Sequence, residues 1–363
     1  MRKIIYSVFL FAVCAVGYAQ QGFQEQINEL KQKSDKFNVY LNFQGSLDAV
    51  TKEDIPTQTT FKARQLRLEF RGNINEKIFY RLRHRLNRSS ENASLDNLSK
   101  ATDMMYAGFK VDDQWTITAG KMCQAWGGFE FDLNPINIYE YSDFIDNMDN
   151  FSLGGMVTYT PNKNHEFNLQ VTNASNKIFE DMYGKNVGKP HNTPLTYLAN
   201  WNGNLLEGKL QTRWAVGIQN ESANHTNAMY MFGTRLNLPK VQIYLDYMRA
   251  DEELDRLRYT PESASKTLEN TKYNSFVAKA DYQPSEKINL FAKGMYETAE
   301  SAIPQNKRTS LGYFAGVEYL PYKDQDLRFF LAYIGRKYIY EKTILDTYTN
   351  RVSLGLIYRI KAF

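Results

Sequence analysis

Residues 65–87, QLRLEFRGNINEKIFYRLRHRLN, decide the fold because they alternate with a period of two on both sides of a short turn. The turn is NINE at 73–76, and mainly Leu and Phe occupy the apolar positions around it. The charged positions are Arg67, Glu69, Arg71, Arg81, Arg83 and Arg85. A period of two indicates β-strands with one apolar and one polar face. Five arginines on one polar face repel each other, so this face is expected to meet water.

The same alternation continues to the end of the chain, where RVSLGLIYRI at 351–360 sets apolar against polar positions. About sixteen runs of about 8 to 12 residues follow it, which is the length of a tilted strand that crosses a bilayer. Their predicted spans are 37–48, 62–73, 78–87, 103–111, 115–123, 151–160, 165–173, 195–202, 208–219, 228–238, 241–250, 272–282, 288–298, 310–320, 327–337 and 349–360.

The connections between these runs alternate between short and long. The short ones are 73–76, 112–114, 162–165, 202–204, 238–240, 283–287 and 321–326. The long ones are 49–61, 88–102, 124–150, 174–194, 220–227, 251–271, 299–309 and 338–348. Bacterial membrane barrels have short periplasmic turns and longer external loops. We therefore predict an all-β fold, a transmembrane antiparallel β-barrel of about sixteen strands. Soluble tandem sandwiches are the alternative, but they need a linker and none is found.

Composition agrees with an exported β-protein. The 363 residues include 44 basic and 40 acidic ones, a net charge of +4, and 14% are aromatic. This charge is too balanced to indicate a nucleic-acid partner. Beyond the N-terminus, no apolar run approaches the roughly 18 residues of a membrane helix.

The N-terminus resembles an export signal, with Arg2 and Lys3 before the apolar run IIYSVFLFAVCAV. We predict a cleaved signal peptide at 1–20, a short periplasmic segment at 21–36 and the barrel at 37–363. A retained membrane anchor and a lipoprotein modified at Cys14 are the less favoured alternatives, and 21–36 could equally be a disordered leader. After cleavage Cys123 is the remaining cysteine, so no intrachain disulfide is expected.

The polar face of the strands is rich in basic residues. If the apolar face meets lipid, the expected pore-lining cations are Arg67, Arg71, Arg81, Arg83, Arg85, Lys110 and Arg213. Rings of charge inside a pore select ions by sign. The alternative is that water and counter-ions in any polar lumen neutralise them. His84 falls on the lipid side, where a contact between protomers is a better explanation than a metal site.

The longest connection, QAWGGFEFDLNPINIYEYSDFIDNMDN at 124–150, is the third external loop and contains no Lys or Arg. Its acidic residues are Glu130, Asp132, Glu140, Asp143, Asp146 and Asp149. Its many aromatic residues could anchor it against the barrel wall, and loops of this length are usually functional. We therefore expect it to fold inward, so that its acids face the arginines across a constriction. The alternative is a solvated acidic loop.

Two segments resemble a known family. ARQLRLEFRGNINEKIFYRLRHRLN at 63–87 is similar to the early hairpin of the phosphate-selective porin (O and P type) superfamily of Gram-negative outer membranes. ITAGKMCQAWGGFEF at 117–131 resembles the family's entry into the third loop. The resemblance implies a sixteen-stranded, trimeric, anion-preferring channel. Because 124–150 has no basic residue, it departs from the basic ladder of phosphate-specific members.

These observations predict an outer-membrane porin that passes small anions or polar solutes by diffusion, with mild anion preference, and that needs no cofactor. Its expected partners are outer-membrane lipid, further copies in a homotrimer and the barrel-assembly machinery, which reads a C-terminal residue such as Phe363. Lys361 and Arg359 at alternate positions before it are charged, so the last residues could leave the strand. An enzyme is not expected, because the four His are scattered and no nucleophile motif appears. An adhesin or receptor barrel is the alternative function.

Overall fold

The computed structural model describes residues 36–53, 55–184, 187–264, 266–341 and 344–362. The predicted signal peptide, and all of the segment 21–36 except Lys36, lie outside them. The described residues form sixteen strands: β1 Asn38–Lys52, β2 Ile55–Asn73, β3 Ile78–Arg85, β4 Thr102–Lys110, β5 Trp115–Cys123, β6 Phe151–Asn162, β7 His165–Asn173, β8 Leu195–Leu205, β9 Leu210–Gln219, β10 Asn227–Asn237, β11 Val241–Leu254, β12 Glu269–Ser285, β13 Ile288–Glu300, β14 Lys307–Tyr319, β15 Asp326–Tyr340 and β16 Thr347–Lys361.

The strands close into one antiparallel barrel. Each pairs with its neighbours in sequence, and β1 pairs with β16 from Tyr40 opposite Lys361 to Lys52 opposite Thr349. Closure pairs both edges of the sheet, which a sheet in lipid requires because no water is there to satisfy its backbone groups. The prediction of a sixteen-stranded antiparallel barrel is confirmed.

The two faces of the sheet are the reverse of those of a soluble protein. On β7 the apolar side chains are exposed and the polar ones between them are buried. The exposed set is Phe167, Leu169 and Val171, and the buried set is Glu166, Asn168 and Gln170. In a closed barrel the buried face is the inner one, so the outer surface is an apolar band that fits lipid.

The first hairpin is longer than the sequence pattern indicates. The connection predicted at 49–61 is wrong: β1 continues to Lys52 and β2 begins at Ile55, with Ala49 opposite Thr59. Residues 55–63 are exposed on both faces, so no alternation of apolar and polar residues marks them. Pairing of backbone groups, which leaves no hydrophobic signal, extends this ribbon beyond the membrane.

Helical structure in the described residues is confined to the connections. The α-helices are α1 Phe129–Asp132, α2 Asp143–Asn147 and α3 Phe179–Tyr183, and 3₁₀ turns form at Pro135–Asn137, Leu206–Gly208 and Pro261–Ala264. Across the described ranges, none of the helices has the length and apolar character to cross a membrane. At the C-terminus β16 ends at Lys361, while Phe363 lies outside the described residues.

Candidate functional site

Three of the five hairpin arginines surround one carboxylate. Arg67 Nε lies 2.9 Å and Arg83 Nε 3.1 Å from Asp103 Oδ2, and Arg85 Nε lies 2.6 Å from Asp103 Oδ1. Arg67 and Arg85 are directly opposite each other on β2 and β3, and Asp103 is buried near the start of β4, at a register shift between β3 and β4. The group carries three positive charges and one negative charge, so the carboxylate offsets only part of the repulsion.

The other two arginines belong to a second cluster nearer the short turn at 73–76. Arg81 Nη2 lies 3.1 Å and Arg71 Nε 3.8 Å from Glu69 Oε1. The guanidiniums of Arg71 and Arg359 approach the ring of Tyr40, at 4.4 Å and 4.5 Å from its centroid. The five predicted arginines therefore lie on one face but form two groups at different depths.

The remaining predicted bases lie apart from these groups. Lys110 is half-buried at the end of β4, next to the short turn that precedes β5. Arg213, on β9, pairs through Nε with Asp132 Oδ2 at 2.7 Å. His84 is half-buried on the outer face, and its Nδ1 lies 3.0 Å from Thr102 Oγ1 on β4. This hydrogen bond satisfies one imidazole nitrogen on the apolar face.

Two glycines bring the 124–150 loop against β9 and β10. Gly127 and Gly128 have φ of +81° and +76°, a region that side chains disfavour. A Cβ at Gly127 would lie 2.7 Å from Arg213 O, and one at Gly128 would lie 2.5 Å from Met231 Sδ. The Gly128 amide donates to Arg213 O at 2.9 Å. Close backbone approach therefore explains the GG pair in QAWGGFEF.

Carboxylates of the barrel wall accept hydrogen bonds from the first turns of α1 and α2. Asp246 on β11 accepts from the amides of Phe129 and Glu130, at 2.9 Å and 2.8 Å. Glu297 on β13 accepts from the amides of Asp143 and Phe144, at 2.9 Å and 3.2 Å. Because the first amides of a helix have no partner within it, these side chains satisfy groups that the loop leaves open.

Aromatic side chains anchor the middle of the same loop. The ring of Tyr139 stacks on Phe291 of β13 with centroids 4.6 Å apart, and its hydroxyl donates to Glu318 Oε1 at 2.6 Å. Trp126 is 1% exposed and packs in an apolar cluster with inward-facing methionines of the strands. The loop therefore contacts inner-face side chains through rings as well as through charges.

Three of the six predicted loop acids pair with basic residues of β13–β16. Glu130 forms an ion pair with Lys293 and accepts hydrogen bonds from Ser142 N and Oγ. Glu140 Oε2 lies 2.8 Å from Arg351 Nη2. Asp143 Oδ2 lies 2.7 Å from Arg308 Nη2, and its Oδ1 lies 3.5 Å from Arg336 Nη1. Asp132 also pairs with Arg213, so four of the six loop acids pair with basic residues outside β2 and β3.

A cavity of about 490 Å³ separates the loop from β2–β5. Its basic lining residues are Arg67, Arg83, Arg85, Arg88, Lys100, Lys121 and Lys177, and its acidic ones are Asp103, Asp132, Asp146 and Asp149. Burial and the nearby carboxylates of Glu140 and Asp143 raise the pKa of Asp146. Arg71, Arg81, Lys110, Arg213, Glu130, Glu140 and Asp143 do not line this cavity.

The sequence reasoning missed several of these residues. Asp103 pairs with three arginines, but strand parity would place it on the outer face with Met105, and it faces inward at a register shift between β3 and β4. Arg88 and Lys177 line the cavity from loops, where no periodicity marks them. Within the described residues, no group of three or more His, Cys, Asp or Glu is arranged to hold a metal ion.

The comparisons with known proteins agree with this geometry. The fold resembles the outer membrane channel DcaP of Acinetobacter baumannii, with TM-score 0.63 and 11% identity over 89% of this chain and 97% of that one. It resembles OmpF of Salmonella typhi, in a complex with daunomycin, with TM-score 0.62 and 13% identity over 90% and 98% of the chains. It also resembles the trimer form of OmpT, an outer membrane protein of Vibrio cholerae, with TM-score 0.57 and 13% identity over 90% and 100%. No curated protein sequence matches significantly.

The family described as phosphate-selective porin O and P matches residues 37–360. The chain therefore belongs to this porin family and is an outer-membrane β-barrel.

Proposed function

We propose that this porin is a passive diffusion channel for small hydrophilic solutes and ions, with a mild preference for anions. The observation that carries the proposal is the charge of the 490 Å³ cavity, which seven basic and four acidic side chains line. An excess of positive charge in a confined aqueous space attracts anions and repels cations.

We further propose that the 124–150 loop narrows the lumen and that the cavity is part of the constriction. Support comes from its contacts with six strands: Arg213 on β9, Asp246 on β11, and Lys293, Arg308, Arg336 and Arg351 on β13–β16. A loop tied to this side of the barrel leaves the β2–β5 side for solutes.

A weak preference fits the chemistry better than phosphate specificity. Tight phosphate recognition uses several converging donors, often paired guanidiniums. Here Asp103 already occupies three guanidiniums, and residues 124–150 contribute no base. Chloride and phosphate are therefore expected to pass with similar relative permeability.

Export and assembly complete the proposal. The signal peptide at 1–20 and the periplasmic segment at 21–36 fit a protein destined for the outer membrane. A homotrimer is supported by the trimer form of the similar OmpT barrel. Assembly by the barrel-assembly machinery into outer-membrane lipid would follow.

Single-channel recording in planar bilayers tests the channel proposal. Purified trimers should give stable conductance steps, and the reversal potential in a KCl gradient should indicate chloride over potassium. Replacing chloride by phosphate should change the conductance without blocking it. Absence of steps would refute the channel, and a cation-selective reversal potential would refute the anion preference.

A further inference from the structure

A second, smaller cavity lies among the external loops and has a different chemical character. Its volume is about 200 Å³, and it is lined mainly by apolar side chains from the loops that contain residues 95 and 174–194. Glu221, an acidic residue in the loop after β9, also lines the cavity. Lys177 lines both cavities, so this space adjoins the proposed solute path, whereas Glu221 lines only the smaller one.

Hydrogen bonds among several loops hold the cavity walls in place. The Ile178 amide donates to Ser94 Oγ at 3.1 Å, which joins the loop after β3 to the one after β7. The His191 amide donates to Glu221 O at 2.8 Å. From the loop after β11, Arg258 Nη2 donates to Met182 O at 2.8 Å. Contacts among several loops therefore define the cavity, and its walls do not rest on a single segment.

Glu221 is a buried carboxylate with unused hydrogen-bonding capacity. The residue is 6% exposed, its Oε2 accepts from the Tyr183 hydroxyl, and its Oε1 has no hydrogen-bond partner. Burial raises the pKa of Glu221 to about 7, although the Arg256 guanidinium and the Tyr183 hydrogen bond act in the opposite direction. A buried acceptor without a partner costs free energy, which a donor that reaches the carboxylate would recover.

The charges around Glu221 favour a cation. Arg256 is paired with Glu252 at 3.1 Å, and Glu252 and Asp149 add to the negative potential at Glu221. The lining also includes one basic and one other acidic residue, Lys177 and Glu180, which together add no net charge. A second anion would therefore be repelled, and a neutral donor would gain less than an ammonium group.

We propose that this external cavity binds a small apolar molecule that carries one primary ammonium group, with the ammonium paired with the Glu221 carboxylate. An apolar cavity of about 150 Å³ holds one benzene molecule. The 200 Å³ here is enough for such a ring with a short aminoalkyl chain. The class comprises small aromatic or aliphatic amines, bound at the cell surface.

Calorimetric titration of the trimer in lipid nanodiscs with 2-phenylethylammonium chloride tests the proposal. At a pH above 7, where Glu221 is ionised, we expect saturable binding of one molecule per protomer. 2-Phenylethanol, which has nearly the same shape but no charge, should bind at least roughly tenfold more weakly. Affinity for the amine should fall as the pH drops below 7, because the carboxylate then takes up a proton.

Variants separate this site from others. Glu221→Gln should weaken amine binding at least roughly tenfold, and Met182→Trp, which fills the cavity, should abolish it. The matched control Glu253→Gln removes an exposed external acid, bound to the Thr226 amide, and should bind as wild type. Equal affinity for amine and alcohol, or unchanged binding in Glu221→Gln or Met182→Trp, would overturn the proposal, as would absence of binding to wild type. Conductance is expected to be unchanged in Glu221→Gln, so failure here leaves the channel proposal untouched.

Discussion

Replacing Arg85 with Ala is expected to shift ion selectivity toward cations much more than replacing Arg81. Arg85 lines the 490 Å³ cavity and lies 2.6 Å from Asp103. Arg81 is buried beside Glu69 at 3.1 Å and does not line the cavity. Both variants lose one guanidinium from the same strand face, so they form a matched pair.

The magnitude follows from the charge around Asp103. Three guanidiniums and one carboxylate leave two net positive charges, and Arg85→Ala leaves one. One unit charge about 5 Å from a passing ion in water contributes about 0.8 kcal/mol. Its loss lowers anion occupancy by roughly fourfold. Added salt should reduce this effect, because it screens charges over about 10 Å at 0.1 M.

Reversal potentials in a KCl gradient at low ionic strength provide the assay. Arg85→Ala should move the reversal potential toward the potassium equilibrium value, and the shift should shrink as the salt concentration rises. Arg81→Ala breaks a buried pair, which costs about 3–5 kcal/mol, so only variants that still run as folded trimers on unheated gels are compared. An equal shift in both variants, or no shift in Arg85→Ala, would refute the assignment of the cavity to the ion path.

Three further outcomes can be measured. Replacing Asp146 and Asp149 together with Asn should increase the preference for anions, because both acids line the cavity; the same reversal-potential assay decides this. Lys293→Met should destabilise the barrel by about 3–5 kcal/mol and increase conductance noise, because Glu130 is left buried without its ion pair. The pKa of Glu221 lies at about 7 in the folded protein and at the ordinary 4.5 when exposed, so the folded form holds the extra proton between these values. The contribution of Glu221 to stability should therefore fall by roughly 3 kcal/mol as the pH rises from about 4.5 to about 7, and Glu221→Gln should remove this share of the pH dependence in thermal unfolding curves.

The strands could be predicted from sequence because lipid imposes the alternation. Each residue of a membrane strand meets either hydrocarbon or the lumen, so apolar and polar residues alternate along β7. Where the ribbon of β1 and β2 leaves the membrane, both faces of 55–63 are exposed and the alternation ends, although pairing continues. Period-two reasoning therefore finds the membrane-crossing part of a strand and misses its extension.

The partners of the charged residues could not be predicted in this way. Parity assigns Arg83 to the inner face, but its contact with Asp103 also depends on the register of β3 and β4 and on side-chain direction. Loop residues carry no parity, so Arg88 on the cavity wall and the approach of Ile178 to Ser94 give no sequence signal. The aromatic content of 124–150 did indicate contact with the wall, since Tyr139 stacks on Phe291.

The acidic residues of the wall and of the loop make structural contacts that their charge alone does not indicate. Asp246 and Glu297, on the wall, use both carboxylate oxygens to accept amides of the loop, so they fix its backbone. Glu130, Glu140 and Asp143, on the loop, pair with bases of β13–β16. A close ion pair acts on a passing solute as a dipole, whose field falls off faster with distance than that of a single charge. The acidic loop thus neutralises the wall that it touches, while the arginines of β2 and β3 keep a net charge beside the cavity. For this reason we expect an anion preference despite a loop that contains no base.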